Sequence, residues 1–118
     1  MANAALFIGY GPTVPGRAQQ ALQVFNEALQ YYGRLQQQGQ IENFEPVFLE
    51  PHGGDLAGFF LLRGDRDKLN GIRFTEEFLR LTNRASLVVQ NVGIVSAFIG
   101  EEQNRLFQDF QAQAAALG

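Results

Sequence analysis

The chain has 118 residues and a formal net charge of −3, a balance that argues against the basic face usual for nucleic-acid binding. Cysteine is absent, which excludes disulfides, iron–sulfur clusters and thiolate zinc sites. Hydrophobic residues at 46% and charged residues at 18% describe one globular domain over residues 1–118, whose core is built from aliphatics and 11 Phe.

Met1–Ala5 carries no positive charge, and the apolar run that follows breaks at Gly9 and Gly11-Pro12. That is too short for a signal peptide or a membrane span, so a cytoplasmic protein is expected. Leu6–Tyr10 reads as a short apolar strand. Gly9–Arg17 then joins a strand to a helix, a setting in which backbone N–H groups can hold anions. It fails the dinucleotide fingerprint, because Val14 stands where the third glycine belongs and two prolines remove donors. A structural connector is the better reading.

From Gly16 to Gln38, apolar residues recur at Ala18, Ala21/Leu22, Phe25, Ala28/Leu29, Tyr32 and Leu35, one stripe down a helix. Gly39 is a left-handed stop. Phe44–Leu49 and Leu56–Leu62 flank Pro51-His52-Gly53-Gly54-Asp55 and form a hairpin. Pro46 lacks an N–H and belongs on an edge strand. Arg63-Gly64-Asp65 spells a cell-adhesion tripeptide, which has no meaning without secretion; Arg63 and Arg66 are expected to pair with Asp65 or Asp67 or to cap the strand end.

Asp67–Gly71 suggests a short turn of helix. Thr75 is an N-cap before Glu76-Glu77, and Phe78, Leu81, Ala85 and Val88 carry a helix to about Val88. The competing reading makes Leu87–Gln90 a fifth strand. Val92–Ile99 is the last apolar run, and Glu102–Leu117 is a final helix with Leu106, Phe107, Phe110, Ala114 and Leu117 on one side.

Strand–helix–strand read twice gives the ferredoxin-like βαββαβ plan: an α+β domain with a four-stranded antiparallel sheet in order 4-1-3-2 plus a C-terminal helix. Alternation divides the strands into two faces. Phe7, Gly9, Val47, Leu49, Gly58, Phe60, Leu62, Val95, Ala97 and Ile99 are assigned to the helices. The other set, Leu6, Ile8, Tyr10, Phe48, Glu50, Phe59, Leu61, Arg63, Ile94, Ser96 and Phe98, is also mostly apolar. Monomers rarely leave so much apolar surface in water, so a homodimer through that face is expected. The alternative is that the Leu106–Leu117 helix shields it within one chain.

Gly64-Asp65, Leu69, Glu77-Phe78, Leu81, Arg84–Val89, Asn91, Gly93 and Val95 resemble small uncharacterised bacterial proteins of the dimeric α+β barrel superfamily, which includes antibiotic-biosynthesis monooxygenases and stress-responsive barrel proteins. The resemblance covers almost the full length and implies homodimerisation more strongly than any activity. Haem-degrading members need an axial His on a helix; His52 sits on a turn and Trp is absent, so no cofactor is expected.

His52, the sole histidine, with Asp55 three residues on, is a conceivable acid/base pair, but Pro, His, Gly and Asp all suit a solvated turn. No ligand spacing for a metal appears. Ser96 lacks a positioned base. The candidate ligand-contacting residues are Tyr10, Phe59, Arg63 and Ser96, in a pocket with Phe-rich walls and His52 outside it. Two functions follow: a homodimeric barrel that binds a small apolar metabolite, or, by analogy with the superfamily, a cofactor-independent oxygenase, isomerase or lyase acting on a small aromatic or polyketide-like substrate. Convergence of Tyr10, Ser96 or Arg63 on one pocket would favour the enzyme. Neither reading involves nucleic acid or membrane.

Overall fold

Four apolar strands and the helices between them set the architecture in the computed structural model, which describes residues 3–118. The elements run β1 (Ala4–Tyr10), α1 (Ala18–Gln37), β2 (Asn43–Phe48), β3 (Gly58–Gly64), α2 (Arg66–Ile72), α3 (Glu76–Ser86), β4 (Gly93–Phe98) and α4 (Gly100–Leu117). The sheet is antiparallel in order β2-β3-β1-β4, the ferredoxin-like arrangement. Pro46 lies on the edge strand β2, which pairs only with β3, so its missing N–H costs the sheet no necessary bond.

Local signals end the helices where expected. Gly39 takes φ +75, and the N–H groups of Gly39 and Gln40 return to the carbonyls of Gln36 and Leu35. The Thr75 hydroxyl accepts from the Phe78 N–H at 3.3 Å. α3 proper stops at Ser86, but Leu87 and Val88 continue it as a hydrogen-bonded turn, the Leu87 N–H donating to the Arg84 carbonyl and the Val88 and Val89 N–H groups to that of Ala85; Leu87–Gln90 is not a strand of the sheet. Only Val89 forms a bridge, to Thr13, while the Gly11 and Val14 N–H groups donate to Gln90 and Val88. The 11–17 connector is thus satisfied by backbone pairing, as a structural link requires.

The sheet faces need correction. Directly opposed residues share a face, and the register sets Leu6 against Leu62 and Ser96, and Ile8 against Phe60 and Ile94. Leu6, Ile8, Phe60 and Leu62 are buried with Val24, Ala28, Tyr32 and Leu35 of α1 and with Leu69, Ile72, Phe78 and Leu81. The β3 assignment stands, whereas β1, β2 and β4 are turned over. The open face carries Phe7, Val47, Phe59, Leu61 and Val95. A one-residue slip moves every side chain of a strand to the other face. With both faces apolar, alternation gives no sign of the slip.

The strand glycines leave no room for a helix backbone to approach. They instead make room for rings: a Cβ on Gly9 would lie 2.6 Å from the Phe7 ring, and one on Gly58 would lie 2.5 Å from the Tyr10 hydroxyl.

Candidate functional site

Bulky aromatics cannot close-pack at the end of the sheet where β1 finishes and β3 begins. Tyr10 leaves β1 over Gly58, and Phe60 stands beside it with ring centroids 6.2 Å apart. Phe60 also meets Phe25 and Tyr32 of α1 at 5.2 and 5.1 Å, and Phe25 meets Phe48 at 5.4 Å. Over this aromatic floor, α1 and the C-terminal half of α3 leave a cavity of about 570 Å³. Leu81, Ala85, Val88 and Val92 form its far wall, and exposed Leu22 and Phe48 stand at its mouth. A volume of several hundred Å³ with mostly hydrophobic and aromatic walls is what small-molecule sites commonly have.

The polar groups of the lining are few. The Thr82 hydroxyl is committed to the Phe78 carbonyl at 2.9 Å, and Asn26 is exposed near the mouth. The Tyr10 hydroxyl is different: it is buried and has no hydrogen-bond partner among the described residues. Burial pushes its phenol above the usual value, so it stays a neutral O–H donor through the physiological range. Tyr32, deeper in the wall, is raised by burial and then by the neighbouring Tyr31. Among the described residues, no Asp, Glu, His, Lys or Arg lines this cavity.

Beside the cavity, two ion pairs tie α1 to α3. Arg84 donates to both oxygens of Glu27 at 2.8 Å, and Arg34 pairs with Glu77. These hydrogen bonds hold both carboxyls below the ordinary carboxylate value. All four side chains are well exposed, so each pair contributes little stability.

The structure separates the four candidate residues. Tyr10 lines the cavity; Ser96 lies on the helix-covered face, paired with Leu6, outside the lining. Phe59 and Arg63 are on the open face. Arg63 binds Glu45 at 2.9 Å and Asn43 at 3.2 Å, not Asp65 or Asp67. Arg66 pairs with Glu102, and Asp65 caps α2 by accepting from the Lys68 N–H. His52 sits on the hairpin outside the cavity, its ring bound within its own loop: the Gly54 N–H donates to Nδ1, and Nε2 lies 3.0 Å from the Leu56 carbonyl.

The α3 and 87–92 side of the cavity was not read from sequence. Leu81, Ala85 and Val88 follow the same spacing as a core stripe, and nothing in that spacing distinguishes a residue against a neighbour from one against a void.

No protein-family model matches the chain, and no curated protein matches it in sequence. Solved structures do share its fold. A dimeric protein of unknown function with a ferredoxin-like fold from Bacteroides fragilis is 11% identical, over 81% of this chain and 96% of that one, with a TM-score of 0.58. SnoaB, a cofactor-independent oxygenase from Streptomyces nogalater, is 13% identical over 85% and 96%, at 0.57. Hydroxynitrile lyase from Passiflora edulis is 11% identical over 86% and 97%, at 0.63. At such identities the likeness shows the fold alone, and that fold is the ferredoxin-like one.

Proposed function

We propose that this chain binds a small, largely apolar ligand in the cavity between α1, α3 and the Tyr10–Phe60 end of the sheet, and that it works as a homodimer through the open sheet face. The observation that carries the binding reading is an apolar cavity of about 570 Å³ with a single buried, unpartnered hydroxyl in its wall. A buried donor left unsatisfied costs about 1–3 kcal/mol; a small turn of the Tyr10 ring would bring its hydroxyl, now buried against Gly58, to a ligand oxygen and recover that cost. The expected ligand is therefore an uncharged, aromatic-sized molecule with a hydrogen-bond acceptor near one end.

Native mass spectrometry of protein purified from its host tests the reading. A retained small molecule is expected, and Ala21→Trp, which places a ring in the cavity, should displace it while circular dichroism stays unchanged. Failure to retain any molecule, together with no uptake of an apolar fluorescent probe such as anilinonaphthalene sulfonate, would refute it.

The second reading is a cofactor-independent oxygenase, isomerase or lyase acting on a small aromatic or polyketide-like substrate. The same Tyr10 hydroxyl supports it, since a neutral donor in a dry site stabilises developing negative charge on a carbonyl oxygen. The lining offers no carboxylate or imidazole to take a proton, and binding is favoured for that reason. Homodimerisation is supported by the apolar open face and by the description of the Bacteroides fragilis protein as dimeric.

A further inference from the structure

We infer that α4 is an arm that docks on a second copy of this chain, extending the proposed sheet-face interface on which this inference rests. The root of the helix is fixed and the rest is uncovered. Arg66 reaches from α2 to hold Glu102 through two hydrogen bonds of 2.6 and 3.0 Å, and also donates to the carbonyls of Ala5 and Ala97. This part-buried network sets the direction in which the helix leaves the sheet. Beyond it α4 has no buried residue, and Leu106, Phe107, Phe110 and Leu117 are 48%, 56%, 71% and 89% exposed. The helix therefore does not cover its own sheet. The radius of gyration is 16.2 Å, against about 13–14 Å for a compact chain of this length.

Helices in proteins draw most of their stability from tertiary packing, and this 18-residue helix is held only at its first turn, so the rest of it calls for a cover. Areas say which. A standard interface buries about 800 Å² per partner, of which about 500 Å² is apolar in homodimers. At about 150–250 Å² per large side chain, the half-buried Phe7, Val47, Phe59 and Leu61 with the more exposed Val95 offer under about 400 Å². The four α4 side chains add about 500 Å² on the same scale. The sheet face alone falls short of a stable pair, and the two surfaces together exceed the requirement. A two-fold axis brings both from each copy, since each residue of a symmetric interface is used twice. The polar positions of the helix are mainly Gln; with Glu102 paired to Arg66, its remaining charges are Glu101 and Asp109 against Arg105, so nothing on it calls for a strongly charged partner.

Light scattering coupled to size exclusion on the full chain tests the arm. The native chain should run at twice 13.1 kDa, and the Phe107→Asp/Phe110→Asp double variant should raise the dissociation constant at least a hundredfold. Its circular dichroism below that concentration should match that of dissociated native chain. In a second measurement, a photocrosslinker at position 107 in a mixture of light and ¹⁵N-labelled chains should yield mixed-mass dimers. Crosslinks confined to single chains, or a double variant as dimeric as the native chain, would overturn the arm. Val95→Asp separates the two claims: if it leaves the dimer intact while the α4 variant breaks it, the sheet-face reading fails and the arm stands.

Discussion

Tyr10 and Gly58 form one unit, because the ring of the first occupies the space that a side chain on the second would need. Gly58→Ala would put a methyl group 2.5 Å from the Tyr10 hydroxyl and 2.6 Å from the Val47 carbonyl. Overpacking of that kind costs about 1–3 kcal/mol, which chemical denaturation should register. Adding Tyr10→Phe should recover only part, since the Val47 carbonyl stays. Tyr10→Phe alone removes a buried donor without a partner. Its unfolding free energy should hold or rise by about 1 kcal/mol, while affinity for an acceptor-bearing ligand should fall about three- to tenfold. Opposite movement of stability and affinity, read by denaturation and calorimetry, would mark the hydroxyl as belonging to the site. Loss of both would mark it as structural.

Among the elements, α4 depends on one ion pair at its root. The Arg66 hydrogen bonds hold the Glu102 carboxyl below its ordinary value. The folded chain then binds that proton less readily than the unfolded chain does. The stabilisation is present above the unfolded value of about 4.3, and it fades as pH falls through the lower folded value. Glu102→Gln should therefore lower the melting temperature at pH 7, and the two melting curves should converge between about pH 5 and pH 3. A constant difference across that window would mean that the pair carries no linkage. At the start of α3, Thr75→Ala should cost about 1 kcal/mol through loss of the cap on Phe78.

At the scale of the molecule, one chain leaves two apolar surfaces uncovered, the sheet face and the α4 stripe. Folding coupled to pairing makes stability depend on concentration. The melting temperature of the native chain should fall on serial dilution, and that of the α4 double variant should be lower and nearly independent of dilution. A melting temperature of the native chain that ignores dilution over a hundredfold range would count against any dimer in that range. Ligand in the cavity adds its own term: saturation at about a hundredfold over the dissociation constant contributes about 2.7 kcal/mol.

Element order, the edge position of Pro46, the Gly39 stop and the Thr75 cap were legible in the sequence because each is a local rule: chain connectivity, a missing N–H, a positive φ, a hydroxyl three residues from an N–H. The ferredoxin-like sheet followed from them. Which face of the sheet lies inside did not, since Phe7 and Ile8, or Val95 and Ile94, are equally apolar and a single-residue shift of register exchanges them. The cavity escaped for the same reason: Leu81, Ala85 and Val88 keep the spacing of a packed stripe, and only the distance between α1 and the sheet end, set by Tyr10, Phe25 and Phe60, leaves a space in front of them. The candidate residues Tyr10, Ser96, Phe59 and Arg63 were grouped by strand alternation, and the register of β1 with β3 divides them between two sides of the sheet. What the sequence by itself determined is what neighbouring residues decide between them. The inside of the sheet, the cavity and the outward course of α4 were decided by contacts between residues far apart in the chain, Arg66 with Glu102 among them, and only the tertiary structure contains those.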